Sequence, residues 1–303
     1  LATALVKNGI QFTYTSNPDD LNKDNLAKFD GLAVYANIDE ITLEQEKAML
    51  DFVGSGKGLI PIHCASFCFR NSKEYVSIVG GQFKEHGKGT FTANLTPSGK
   101  EMLKGFNEFE TWDETYVHQN INPSIDILME RKDGDHIEPW TWTNEYKDGR
   151  MFYTAYGHDE RTWSNPGFHD LMKRGILWAV GDKAAGKADK LSFPQPKYTE
   201  AKIPNYEKRD PPLKLQQGLS PEESMQLTQV PIGFELELFA AEPDIINPIA
   251  MAWDERGRLW VIETVDYPNT VRSDDGVGDD RVKICEDTNG DGNPTNDDDD
   301  NDG

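Results

Sequence analysis

The segment GLIPIH at residues 58–63 carries no polar side chain until its last position. A strand without polar alternation has to be buried on both faces, which places it inside a sheet covered by helices. The stretch before it, TLEQEKAMLDFVGSGKG (42–58), predicts a covering helix. Thr42 is its N-cap and Gln45 stands at the N3 position of a capping box. Leu43, Met49, Leu50 and Val53 lie near one face, and Gly54 and Gly56 stop the helix. GLAVYAN (31–37) and GRMFYTAYGH (149–158) read as further inner strands, and QFTYT (11–15) as another strand. DDLNKDNLAKFD (19–30) reads as a short helix or turn, and PGFHDLMKRGILWAVGD (166–182) as a closing helix. This alternation predicts an α/β domain over 1–182, with a mostly parallel sheet and helices on both faces.

After residue 182 the texture changes. Residues 183–215 are rich in Pro, Lys and Ala with no apolar period, the signature of a linker. From 216 to 303, FELELFAAEP, IAMAWDERGRLWVIET and DRVKICED read as short strands between turns, an all-β segment with too few strands to close on itself. It ends in the acidic run DTNGDGNPTNDDDDNDG. The net charge of −22 over 303 residues argues against nucleic acid, which demands clustered Lys and Arg, and against anionic membrane surfaces. No apolar run approaches the roughly 18–20 residues of a spanning helix, so no membrane insertion is expected. Three cysteines, one far from the others, make no disulfide framework. The chain opens with LATALVKNG, the tail of a helix running into a Gly stop, and has no initiator Met. It is therefore expected to be a fragment, with room for a lost leader.

An open parallel sheet binds its ligands beyond the carboxyl ends of its strands. His63 ends one such strand and enters a turn, like the elbow that presents a nucleophile above the sheet in many hydrolases. The chain has no G-x-S-x-G or G-x-C-x-G, and the imidazole stands where that nucleophile would. His158 follows a strand and Gly157, and so sits at a second tip. Cys64 lies one place beyond the presented position and reads as a small buried residue. Cys68, one helical turn on, is too close to it for an unstrained disulfide.

In order and spacing, GKGLIPIHCA, GGQFKEH, WDETY and GRMFYTAYGHD…GILWAVGD resemble the trehalose-utilisation (ThuA-like) family. The resemblance covers 1–182 and implies a flavodoxin-like fold related to class I glutamine amidotransferases, whose first strand, with the site residues at its tip, is expected before Leu1. Position by position it implies a site of His63, His86, Asp113, Glu114, Tyr116 and His158. His63, Asp113, Glu114 and Tyr116 take catalytic roles in that reading; His63, His86 and His158 are ligands of a divalent transition metal of the zinc type. Three imidazoles and a carboxylate suit such an ion and leave a position open for water or substrate. Without metal, one His and Glu114 suffice as an acid–base pair on a sugar hydroxyl or keto group. The implied partner is a carbohydrate or keto-sugar, with Tyr116, Trp112, Trp140 and Trp142 available to stack on its ring. Plainer readings stand beside these. His63 is then a hydrogen-bonded structural residue, His86 is solvated in a Gly-rich loop, and WDETY caps a helix or pairs with Arg150 or Arg161. His118, His136 and His169 read as surface residues.

VPIGFELELFAAEPDIINPIAMAWDERGRLWVIETVDYP resembles the opening of the propeller-type, membrane-bound dehydrogenase-like domain of large secreted proteins of planctomycetes and verrucomicrobia. DERGRLWV is then the strand–turn–strand of a first blade. The resemblance implies a periplasmic or extracellular location and, as partners, propeller blades beyond this segment. No C-x-x-C-H haem motif occurs. DTNGDGNPTNDD (287–298) matches the start of a calcium loop at Asp287, Asn289 and Asp291, but carries Asp298 where the full motif has a bidentate Glu. A Ca²⁺ site there competes with a solvated acidic turn. For residues 1–182 a carbohydrate-processing domain competes with a non-catalytic amidotransferase-like module that binds a glycan or a partner. A hydrolase acting through Cys64 stands third.

Overall fold

The structure, a computed structural model, describes residues 1–188, 194, 197–201, 208, 210, 212–228, 230, 233–266 and 278–288. It divides into two compact units, Leu1–Phe193 and Pro194–Gly303.

The first unit holds strands β1 (Gly31–Val34), β2 (Gly58–Pro61), β3 (Gln82–Thr92), β4 (Asn94–Leu95), β5 (Glu110–Gln119), β6 (Asp126–Asp133), β7 (His136–Tyr146) and β8 (Gly149–Thr154). Its helices are α1 (Ala2–Val6), α2 (Lys23–Leu26), α3 (Leu43–Gly54), α4 (Lys73–Val79), α5 (Pro97–Met102), α6 (Glu160–Trp163), α7 (Pro166–Val180) and α8 (Asp182–Ala188). One mixed sheet runs in the order β1-β2-β8-β7-β6-β4. The expected parallel ladder is β1, β2 and β8, and β7, β6 and β4 continue it antiparallel. β3 and β5 pair separately as a long antiparallel ribbon.

Local signals act where the sequence puts them. Thr42 accepts from the Gln45 amide and Gln45 returns the bond to the Thr42 amide, closing the capping box of α3. Met49, Phe52 and Val53 are the residues this helix buries. β2 is buried at every position, as a continuous apolar strand demands. Helix α7 reaches the sheet through glycines. A Cβ on Gly175 would lie 2.2 Å from the Phe152 ring, and one on Gly58 would lie 2.9 Å from the Ala179 backbone. Side chains alternate across a strand, so Phe152 faces α7 and Tyr153 faces the opposite side. There Trp142, paired in register with Tyr153, donates from its indole to the Val79 carbonyl at the end of α4 (2.7 Å). Helices thus cover both faces of the sheet.

QFTYT departs from expectation. Residues 11–15 form no strand, and Tyr14 is 84% exposed. β1 forms the edge of the sheet and 11–15 does not pair with it, so the apolar alternation has no surface to bury.

The second unit contains helix α9 (Pro221–Leu227) and two small antiparallel sheets. β9 (Tyr198–Glu200) pairs with β10 (Lys214–Gln216). β11 (Pro248–Trp253), β12 (Leu259–Glu263) and β13 (Arg281–Cys285) form a three-stranded meander. Leu259, Val261 and Cys285 make its small core with Phe239 and Ile245. Among the described residues these sheets remain open and do not close into a ring. The segment read as a linker, 183–215, contains most of α8, then β9 and the start of β10. No helix among the described residues is long and apolar enough to cross a membrane.

The Gly175–Phe152 contact carries a prediction. Gly175→Ala overpacks the α7–sheet seam and costs about 1–3 kcal/mol in chemical denaturation; an unchanged midpoint would show that the seam is loose.

Candidate functional site

The site begins at the end of β2. Ile62 still bridges to Thr154 beside it, and then His63 turns into the left-handed region with φ of +49°. Histidine is one of the few non-glycine residues found there with any frequency. Such strained backbone clusters at functional sites when the surroundings hold it in place. Here the holding group is the Ala155 carbonyl on the neighbouring strand end, 2.7 Å from His63 Nδ1. A carbonyl only accepts, so Nδ1 carries the proton, and in the neutral ring Nε2 presents its lone pair. Burial lowers the His63 pKa, which favours that neutral ring.

His63 Nε2 faces Glu114 Oε2 at 3.3 Å, a contact that becomes a hydrogen bond when one proton lies between them, on the imidazolium or on the carboxyl. The other carboxylate oxygen, Oε1, lies 3.4 Å from His86 Nδ1 and 3.4 Å from His158 Nε2. Three imidazoles from three elements therefore meet one carboxylate. His63 is 1% exposed, while His86 and His158 are 41% and 54% exposed, so the cluster grades from a buried ring to an open side. Tyr116 packs its ring on His63 with centroids 4.0 Å apart, and burial pushes its hydroxyl far above the range in which it ionises. Tyr116 can donate a proton bond but cannot act as a base.

The ribbon explains the delivery. His86 lies on β3 opposite Tyr116 on β5, not in a loop as its glycine-rich surroundings suggested. Gly87 lets the strands close where a Cβ would come 2.9 Å from the Thr115 hydroxyl. Asp113 and Glu114 are neighbours on β5, so they point to opposite sides. Glu114 enters the site. Asp113 is fully buried and accepts from the backbone amides of Gly157 (2.9 Å), His158 (3.1 Å) and Asp159 (3.1 Å). It anchors the turn that presents His158, and its charge still reaches His63 against the lowering by burial.

Other expected residues fall elsewhere. Trp140 and Trp142 are fully buried and cannot meet a sugar. Trp112 lies under the Arg161 guanidinium at 3.9 Å, and Arg161 pairs with Asp159. An accessible aromatic is Tyr35, the first residue after β1, 48% exposed and edge-on to Trp163 with centroids 5.1 Å apart. Burial and the neighbouring Cys64 raise its pKa, with Asp113 and Glu114 adding to the effect. Applied to GLAVYAN, the strand-end rule that singled out His63 would have found it. His118, read as a surface residue, is buried against Glu138 and Tyr153. Burial holds the Cys64 thiol up at about 11, and the Cys68 thiol is likewise at about 11 while it donates to the Ala36 carbonyl. Among the described residues, no group of three or more His, Cys, Asp or Glu is arranged to hold a metal ion. Of the three candidate calcium ligands only Asp287 is described; Asn289 and Asp291 lie outside the described residues.

Two family profiles match the chain. That of ThuA, trehalose utilisation, matches residues 1–179. That of a domain of unknown function (DUF7133) matches residues 220–297. No curated protein matches it at a significant level. Among solved structures, a ThuA-like protein from Bacteroides uniformis shares 16% identity with a TM-score of 0.49, covering 56% of this chain and 77% of that one. Another from Parabacteroides merdae shares 21% identity with a TM-score of 0.49, covering 59% and 82%. A β-galactosidase from Bacillus circulans shares 15% identity with a TM-score of 0.45, covering 65% of this chain and 28% of that one.

The raised Cys64 pKa of about 11 gives a direct expectation. Only the thiolate attacks, so alkylation by iodoacetamide at pH 8 runs about 100-fold slower than for an ordinary thiol and accelerates towards pH 11. Rapid alkylation at pH 8 would return Cys64 to the list of nucleophiles.

Proposed function

The chain belongs to the trehalose-utilisation (ThuA) family through residues 1–179, and from that premise we propose that this domain processes a sugar or keto-sugar by acid–base chemistry at the His63–Glu114 centre. The observation that carries the reading is the meeting of three imidazoles on the Glu114 carboxylate beyond the ends of β2 and β8. His63 Nε2, oriented by its Nδ1–H bond to Ala155, takes a proton from a sugar hydroxyl or from the carbon beside a keto group. Glu114 steadies the imidazolium that results. His158 and His86, at the open side, give a proton back to the oxygen where charge develops. Tyr116 keeps its proton and keeps the His63 ring in plane. Tyr35 and Trp163 offer the apolar edge on which a ring substrate rests.

A divalent ion of the zinc type held by His63, His86 and His158 is the second form of this proposal. It needs the rings to leave their present partners, because among the described residues no group of three or more His, Cys, Asp or Glu is arranged to hold a metal ion, and His86 Nδ1 lies 3.0 Å from the Gly87 carbonyl. Such an ion would polarise a carbonyl or make a bound water more acidic. We read the second unit, from 216, as the opening of a propeller-like domain whose further blades are its partners, placed outside the cytoplasm. The Asp287 loop is its candidate calcium site.

Metal uptake and turnover over a panel of free and keto-sugars test the reading. The full chain should react with a member of the panel, and His63→Gln with His158→Gln should lower the rate by about 100-fold or more with the fold intact. Retained turnover in that variant would overturn the assignment. Glycan binding without reaction, unaffected by the substitutions, would instead identify a non-catalytic binding module.

A further inference from the structure

The buried polar groups on the far side of His63 are not used by the chemistry above. Tyr153 sits on β8, fully buried. Its hydroxyl donates to the His63 carbonyl at 3.0 Å and lies 3.1 Å from Ser66 Oγ, which also donates to that carbonyl at 3.1 Å. His118 Nε2 stands 3.0 Å from the same phenol oxygen. The His118 ring and main-chain amide both donate to Glu138 Oε1, each at 2.8 Å. Glu138 Oε2 is met by His136 Nε2 at 2.9 Å. A continuous run of polar contacts thus links the exposed His136 to the main chain of His63.

This chain ends on a carbonyl oxygen and not on the imidazole, so it carries no proton to the site. What it reaches is the peptide group that sets the backbone of a left-handed residue. A strained turn persists only where its surroundings over-determine it. The imidazole end of His63 is tied by Ala155 at Nδ1, with Glu114 facing Nε2, and the carbonyl end by the two hydroxyls. A buried carboxylate needs partners, and Glu138 finds them in the two histidines. Trp142 closes the arrangement, its ring 4.2 Å from Tyr153 and 5.1 Å from His118.

We propose that Tyr153, aimed by the buried His118–Glu138 pair, is a positioning residue that holds His63 in its left-handed turn. The inference rests on His63 being the central imidazole of the site, and its readout requires no substrate. In the full chain with ¹⁵N-labelled histidine, the His63 Nδ1–H bound to Ala155 should give a sharp, slowly exchanging signal. Tyr153→Phe removes only the hydroxyl; that signal should broaden or disappear and the two ring nitrogens should show tautomer averaging. His118→Gln, one step further away, should move the His63 signals in the same direction by less. Thr141→Val removes a different buried hydroxyl pair from the same sheet, with Thr154 (2.9 Å), and should lower stability without altering the His63 spectrum. His63 signals in Tyr153→Phe that superimpose on the wild type would overturn the proposal and leave the sugar chemistry untouched. A change of equal size in Thr141→Val would also overturn it, because the effect would then be general loosening. Failure of every sugar to react would leave the positioning role standing.

Discussion

The hydrogen bond from His63 to the Ala155 carbonyl is the interaction on which the rest of the site depends. It joins the ends of two parallel strands, fixes which imidazole nitrogen bears the proton, and leaves the other directed at Glu114. Burial adds the preference for a neutral ring. A solvated histidine would exchange tautomers and rotamers freely. This one is held by a backbone acceptor, by the Tyr116 ring and by a left-handed turn.

Adjacent residues on a strand serve two tasks because their side chains leave on opposite sides. On β5, Asp113 gathers the amides of the turn after β8 and Glu114 gathers imidazoles. The same alternation on β8 turns Phe152 towards the α7 glycine seam and Tyr153 towards the His63 carbonyl. The site is therefore built between a rigid parallel edge and an antiparallel ribbon, each carrying part of the donor set. Elements fixed by the core are better suited than loops to hold such geometry.

What could be read from the chain was the part dictated locally. The α3 capping box, the buried β2 run and the strand-end positions of His63 and His158 need no tertiary knowledge. Where side chains point across the ribbon was another matter. Asp113 and Glu114 look equivalent in WDETY until β5 gives them opposite faces. Trp140 and Trp142 look like sugar platforms until the sheet buries them, and His118 looks solvated until Glu138 on β7 meets it. His86 was masked by its glycines, which permit close strand pairing as readily as a loop. QFTYT has the composition of a strand, but composition supplies no neighbour to pair with.

Glu114 is the shared partner of three imidazoles. The most direct measurement is the set of histidine ¹⁵N chemical shifts in Glu114→Gln against the wild type. If the carboxylate is the hub, the His63, His86 and His158 resonances move together while those of His118, His136 and His169 stay. Movement of His63 alone, or of none, would contradict it.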